Sequence, residues 1–360
     1  MPLPQPILIS LDAMGGDHGP PVVVGGVREY VRRNGREGVR FLLHGDEAAI
    51  RAEMGRLHLD EDLVEVHHTD KVVAMDEKPA QAMRRGKGSS LWNAIESVKT
   101  GVAGAVVSGG NTGALMAISK LVLRMSAAAL ERPAIVAPWP TLKGVTAVLD
   151  VGANVESDAR QLIQFAIMGE AYHQAVNGVE KPLIGVLNVG SEDMKGHEEV
   201  REAHAILRDN TLGLIYHGFV EGDDIAKGTV DVVVTDGFTG NIALKTAEGT
   251  ARFVSTLLRD ALTSSLQSKL GALIAMPALR AMRSRIDPNG VNGGPLLGLN
   301  GIVVKSHGGA DARGFASAIR VAVDLARSDY LEKVGANLRR LDEVIPATEG
   351  AATEDGDKVQ

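Results

Sequence analysis

Ile7-Leu8-Ile9-Ser10-Leu11 runs into Asp12-Ala13-Met14-Gly15-Gly16-Asp17-His18-Gly19. A short apolar, β-branched run gives way to a glycine-rich polar turn, and the pattern returns five times. Ala105-Val106-Val107-Ser108 precedes Gly109-Gly110-Asn111-Thr112-Gly113, and Val145-Thr146-Ala147-Val148-Leu149 precedes Asp150-Val151-Gly152-Ala153-Asn154. Leu183-Ile184-Gly185-Val186-Leu187 precedes Asn188-Val189-Gly190-Ser191-Glu192. Val230-Asp231-Val232-Val233-Val234 precedes Thr235-Asp236-Gly237-Phe238-Thr239-Gly240-Asn241, and Ile302-Val303-Val304-Lys305 precedes Ser306-His307-Gly308-Gly309. Short apolar runs bounded by turn signals fit strands buried on both faces. Segments of helical spacing between them imply βαβ units and a mostly parallel sheet. After Gly113, Leu115, Ile118, Val122 and Met125 share one helix face, and Asp158 is placed to cap a helix through Tyr172. The spacing thus predicts an α/β fold, a mostly parallel sheet between helices. Parallel strands send their following turns to one edge, where open α/β sheets bind ligands. All six polar loops are therefore expected on one rim.

Composition narrows the function. The chain of 360 residues is 44% hydrophobic and 23% charged, which supports a packed core and excludes disorder for most of it. It has no cysteine, so a disulfide, a thiolate metal site and a cysteine nucleophile are all excluded. A formal charge of −7 and only 3% aromatic residues argue against a nucleic-acid partner. Met1 to Ser10 carries no basic segment of the signal-peptide kind, and no apolar run reaches the roughly 18 residues of a membrane span. A cytoplasmic protein is expected. Ala347 to Gln360 is acidic and polar and reads as a disordered tail, leaving 1–346 as one α/β/α domain.

One segment departs from the strand pattern. Ala251, Val254, Leu257, Leu258, Ala261, Leu262, Leu266 and Leu270 form a long helical stripe, and Leu270 to Leu279 is almost wholly apolar. Lys269, Arg280, Arg283 and Arg285 flank it. The pattern predicts a helical hairpin over 248–290, projecting from the sheet with its tip near Gly271 to Pro277. Such a tip is too short to cross a bilayer but long enough to insert at its interface, Leu273 and Ile274 foremost. Burial in a dimer is the alternative for the same stripe.

Gly109 to Gly113 lies between a strand and a helix start, where free backbone N–H groups favour an anion such as phosphate. The spacing is not that of a dinucleotide fingerprint, and no P-loop occurs. Thr235 to Asn241 repeats the idea, with Lys245 one turn beyond. Asp12, Asp17 and His18 form the densest cluster. A carboxylate beside a histidine suits acid–base work near neutral pH, while Mg²⁺ or Zn²⁺ ligation and a plain turn acceptor at Asp12 are the alternatives. Arg84, Arg85 and Lys87 precede a helix starting near Ser89 and form either a solvated basic face or an anion clamp. No G-x-S-x-G is present, so a reaction without a covalent enzyme intermediate is the simpler choice.

Together the motifs resemble a known family. DAMGGDHGP at Asp12–Pro20, SGGNTGALM at Ser108–Met116, LDVGANVE at Leu149–Glu156 and LNVGSEDMKG at Leu187–Gly196 resemble the signatures of the bacterial phosphate acyltransferases of the PlsX family. VVVTDGFTGNIALKT at Val232–Thr246 and KSHGGAD at Lys305–Asp311 extend the resemblance, in order, from about Ile7 to about Asp329. Gly110 departs from it, standing where many relatives are expected to carry alanine.

The resemblance implies a phosphotransacetylase- and isocitrate-dehydrogenase-like α/β fold and transfer of a long-chain acyl group from acyl carrier protein to inorganic phosphate. The acyl phosphate would feed phosphatidic acid synthesis through a glycerol-3-phosphate acyltransferase. It implies no cofactor, a homodimer and peripheral attachment to the inner face of the membrane. On the matching positions, Asn111, Thr112, Thr239 and Asn241 with the amides of Gly15, Gly16, Gly109, Gly237 and Gly240 are expected to hold phosphate. Asp12, Ser108 and His307 belong to the same expected site. His18 with Asp17 is expected to move a proton, Lys195 or Lys245 to neutralise charge, and Asp236 and Asn154 to orient neighbours. Arg84, Arg85, Lys87, Lys269, Arg280, Arg283 and Arg285 are the candidate landing patch for an acidic carrier. A coenzyme A-dependent short-chain phosphotransacetylase and a non-catalytic membrane scaffold are the competing functions.

Overall fold

The computed structural model describes residues 6–127, 130, 132–209, 211–286 and 292–344. Its first half runs β1 (Ile7–Asp12), α1 (Pro20–Asn34), β2 (Val39–Gly45), α2 (Glu47–Leu57), β3 (Val64–His68), α3 (Pro79–Arg85), α4 (Ser90–Lys99), β4 (Ala105–Ser108), α5 (Thr112–Leu123), β5 (Ala134–Pro140) and β6 (Val145–Leu149). Then follow α6 (Ala159–Asn177), β7 (Leu183–Leu187), α7 (Glu198–Arg208), β8 (Ile215–Val220), α8 (Gly222–Lys227), β9 (Val232–Val234), α9 (Gly237–Thr263), α10 (Leu266–Ile286), β10 (Gly294–Leu297), β11 (Ile302–Lys305), α11 (Ala312–Arg327) and α12 (Tyr330–Val344). The six apolar runs are β1, β4, β6, β7, β9 and β11, with β9 starting two residues later than its run. Asp158 caps α6 through a capping box with Gln161, and that helix outruns Tyr172 to reach Asn177. Met125 lies beyond the end of α5 and bridges Leu299 instead.

One sheet holds all eleven strands in the order β3-β2-β1-β4-β11-β10-β5-β6-β9-β7-β8. Side chains alternate between its faces, as the strand period requires. Val107 and Val304 face a core shared with α1, α6, α11 and α12, whereas Val106 and Val303 face one shared with α4 and α5. Tyr172, Phe41, Phe165 and Phe315 are the largest side chains sealed inside. Each such burial contributes about 1.5–3 kcal/mol.

The expectation of one shared rim is corrected by strand direction. β3, β2, β1, β4 and β11 are mutually parallel, and so are β6, β9, β7 and β8. The two groups are joined through β10 and β5 by three antiparallel pairings, β11–β10, β10–β5 and β5–β6. Three reversals leave the second group running against the first. The loops after β1, β4 and β11 thus leave at one edge, and those after β6, β7 and β9 at the opposite edge. From β11 to β6 is three strand spacings, roughly 14 Å across the sheet, with about 10 Å more along it.

The hairpin forms, with different bounds. It begins at Gly237 and turns at Ser264–Ser265, where the Ser265 hydroxyl accepts the Ser268 N–H and caps α10. Gly271 and Pro277 therefore lie inside a helix and not at a tip. In α9 only Gly237 and Gly240 are buried, Leu244 still packs against the core beyond them, and the later turns are largely exposed. Phe253, Val254, Leu257, Leu270, Leu273 and Ile274 are exposed along the arm. The expected end of the hairpin at 287–290, the side chains of Arg283 and Arg285, and the tail 347–360 lie outside the described residues. No described helix is long and apolar enough to cross a membrane.

Candidate active site

At the first edge, Asp12, Ser108 and Lys305 stand in register on β1, β4 and β11. The Ser108 hydroxyl donates to Asp12 Oδ2 at 2.7 Å and accepts the Gly110 N–H at 3.0 Å. Asp12 is buried, and among the described residues its Oδ1 meets no donor at normal hydrogen-bond distance. Burial raises its pKa above the usual carboxylate range, against hydrogen bonds that include the one from Ser108. Lys305 Nζ donates to the carbonyl of Gly109 at 3.2 Å and to that of Ser306. Burial lowers its pKa to about 8, with Asp12 and Asp17 opposing the shift.

The loops around this row touch backbone to backbone. The Asp17 N–H donates to the Gly308 carbonyl at 3.0 Å, and Gly16 sits at φ +94° with the same carbonyl 3.1 Å from where a Cβ would stand. Only glycine accepts that conformation without strain. Asn292 ties the third loop down: its amide donates to Ser306 Oγ at 2.8 Å and its Oδ1 accepts the His307 N–H at 3.1 Å. His307 Nδ1 accepts the Gly309 N–H at 3.1 Å, which leaves Nε2 as the ring's donor. Asp17, His18 and Thr112 are exposed at the mouth. Asn111 caps α5 through its Oδ1, and its amide donates to the carbonyls of Met75 and Glu77, both at 2.8 Å. Its side chain clasps the 74–77 segment and is not left open to a ligand.

The second edge is organised by Asp150. This buried carboxylate accepts the N–H groups of Ile135, Gly152, Ala153 and Asn154 and the Asn154 side-chain amide, at 2.6–3.2 Å. The Asn154 carbonyl in turn accepts the Gly237 N–H at 2.7 Å, setting the start of α9. A Cβ at Gly240 would overlap the Asp150 carbonyl. Asp236 caps α9, accepting the Thr239 N–H at 2.8 Å and its hydroxyl at 2.7 Å. Asn241 is exposed on the first turn. Lys245 pairs with Glu248 at 2.9 Å, and Lys195 lies 3.9 Å from Glu192 on an exposed loop.

One chain therefore does not bring the expected residues to one point. His18, Asp17, Asp12, Gly15, Gly16, Ser108, Gly109, Asn111, Thr112 and His307 share the first edge. Asn154, Lys195, Asp236, Gly237, Thr239, Gly240, Asn241 and Lys245 share the second. Among the described residues, no three His, Cys, Asp or Glu side chains converge as a metal site. Arg84, Arg85 and Lys87 are exposed on and after α3, which packs on α5 beside the first edge, and none of them pairs with an acid among the described residues.

A family model described as "Fatty acid synthesis protein" matches residues 7–333. Phosphate acyltransferases of Caulobacter vibrioides and Phenylobacterium zucineum are 68% and 60% identical over 337 residues, covering 94% of this chain and 93% and 95% of theirs. The chain belongs to this phosphate acyltransferase family. Its fold is that of phosphotransacetylases as well. Those of Staphylococcus aureus and Streptococcus pyogenes superpose with TM-scores of 0.58 and 0.60 over 89% and 90% of this chain and 94% and 95% of theirs. At 14% and 16% identity that likeness is one of fold alone.

Sequence reasoning gave no role to three residues that build these edges of the acyltransferase: Lys305, Asp150 and Asn292. The signal for Lys305 was a lysine closing an otherwise β-branched run directly before Ser-His-Gly-Gly. Asp150 stands at the same kind of strand end. Asn292 lies between α10 and β10 outside any of the apolar runs, and nothing local marks it.

Proposed function

We propose that the protein transfers a long-chain acyl group from the thioester of acyl carrier protein to inorganic phosphate, releasing acyl phosphate and the free carrier. The observation that carries this reading is the 68% identity to a phosphate acyltransferase along nearly the whole chain. A phosphate oxygen attacks the thioester carbon, a C–O bond forms, the C–S bond breaks, and the proton of hydrogen phosphate ends on the thiol. Phosphate is itself the nucleophile, which suits a chain without cysteine. The enzyme's task is then to hold an anion, orient it and stabilise the oxyanion on the carbonyl carbon.

We place phosphate in the first-edge crevice, with His18 and Asp17 at its mouth. Lys195, Asp236, Asn241 and Lys245 reach it from the partner chain of a homodimer, since strand direction sets a chain's own copies on the far rim. Arg84, Arg85 and Lys87, exposed beside that crevice, suit an acidic carrier protein. The exposed apolar arm suits a membrane interface, which keeps the product near the glycerol-3-phosphate acyltransferase that consumes it.

The test is an assay with purified protein, palmitoyl-acyl carrier protein and phosphate, with and without EDTA. Phosphate-dependent release of free carrier, unchanged by EDTA and far exceeding that with acetyl-coenzyme A, is the expected result. Release that ignores phosphate, or preference for the acetyl donor, would overturn the reading.

A further inference from the structure

The phosphate site needs a cation, and the sequence offered Lys195 and Lys245 for it. Both are half-exposed and each already faces a carboxylate, Glu192 at 3.9 Å and Glu248 at 2.9 Å. Lys305 differs in each respect. Its ammonium lies within the sheet end, held by the carbonyls of Gly109 and Ser306. Among the described residues it makes no ion pair, and those two carbonyls are the acceptors of two of its three N–H groups. Asp12 and Asp17 act on it only from beyond contact distance.

A desolvated ammonium whose nearest carboxylates, Asp12 and Asp17, stay out of ion-pair range is costly, and its lowered pKa is the expression of that cost. A fold keeps such a group where an anion completes it. Here the surroundings are those of an anion site. The loops after β4 and β11 each give the ammonium a carbonyl, and the loop after β1 packs against both through glycine backbone, Gly16 on Gly308 and Gly15 on Gly109. A lysine at the end of a strand, pinned beside glycine-rich loops, acts on phosphate as a point charge.

We propose that Lys305, not Lys195 or Lys245 of the same chain, is the cation that binds inorganic phosphate, with its third N–H directed to a phosphate oxygen. The assignment rests on the phosphate-transfer reading for its ligand, and on its own geometry for the site. The two carbonyls are the positioning device, since they fix the ammonium before phosphate arrives.

The experiment compares the full-length wild type with Lys305→Met, Lys305→Arg and the surface control Lys143→Met. Binding of inorganic phosphate is measured by calorimetry, and KM is measured for phosphate and for the acyl donor separately. Lys305→Met is expected to weaken phosphate binding and raise the phosphate KM at least tenfold, with the donor KM within twofold. Lys305→Arg is expected to recover part of the loss, and Lys143→Met to match wild type. Wild-type phosphate affinity in a folded Lys305→Met protein would overturn the proposal. If that variant does not fold, a crystal structure of the wild type with phosphate decides. An oxygen within 3.2 Å of Nζ, the upper end of a normal hydrogen bond, supports the assignment. Phosphate bound elsewhere, or none in the crevice, overturns it. Wild-type protein that binds phosphate through Lys305 yet transfers no acyl group would refute the activity and leave this site standing.

Discussion

Asp150 shows how one residue can set a whole loop. It accepts four backbone N–H groups, one from strand β5 and three from the loop after β6, and it is sealed from water. Asp150→Ala leaves the donors of Ile135 and Asn154 buried and unpaired and frees those of Gly152 and Ala153, at about 1–3 kcal/mol for each that finds no water. We expect a loss on the order of 3 kcal/mol or more in urea unfolding; a loss below about 1 kcal/mol would deny it the role of hub. His44 acts on stability through protons. Burial first, and the neighbouring His67 second, lower its ring pKa to about 4. The unfolded chain then takes up this proton near pH 6.5 and the folded chain only near 4. The stability is present above pH 6.5 and is lost as pH falls towards 4, by up to roughly 3 kcal/mol. His44→Phe should flatten that decline in unfolding curves between pH 6.5 and 4.5; an unchanged slope would place the acid sensitivity elsewhere. At this scale the sequence marked loops but not roles. The place of Asn111 at a strand end and the family resemblance of its motif point to a phosphate ligand, yet an asparagine before a helix is equally a cap, and only the 74–77 segment decides between them.

Among the elements, the strands that came through in the sequence are those with an unbroken β-branched run before a glycine turn. β2 is interrupted by Arg40 and His44, β5 carries Pro138 and Pro140, and β3 and β8 sit at the ends of the sheet, where polar residues are tolerated. Direction was harder to read than existence. Its clue was loop length: Thr141-Leu142-Lys143-Gly144 joins β5 to β6, and so short a link permits only an antiparallel pair. The hairpin's stripe was legible, while its turn was misplaced because Gly271 and Pro277 outweighed the serines that actually cap α10. The arm carries its own prediction. Leu273 and Ile274 are 68% and 80% exposed, so Leu273→Asp with Ile274→Asp should leave the melting temperature within a few degrees. The same variant should lose sedimentation with anionic liposomes. Unchanged pelleting would remove these residues from membrane contact, and a shift from dimer to monomer would assign them to the subunit interface.

For the whole molecule, the decisive property is that two parallel half-sheets oppose each other within one continuous sheet. On the proposed reading, a site needing residues from both edges is assembled between chains and not within one. Mixing His18→Ala with Lys245→Ala subunits tests this directly. If the edges belong to different chains, a statistical mixture regains about a quarter of wild-type turnover, because each mixed dimer holds one intact site. No recovery would mean that each chain works alone. The arm adds a mechanical consequence. α9 is one uninterrupted helix of 27 residues, roughly 40 Å long. Its first turn is wedged against Asp150 and Asn154, and its last turn stands in the open. Such a rod is a crank with its bearing in the second edge. A load on the free end turns the Asp236–Thr239 corner with it and reaches the second edge as torque.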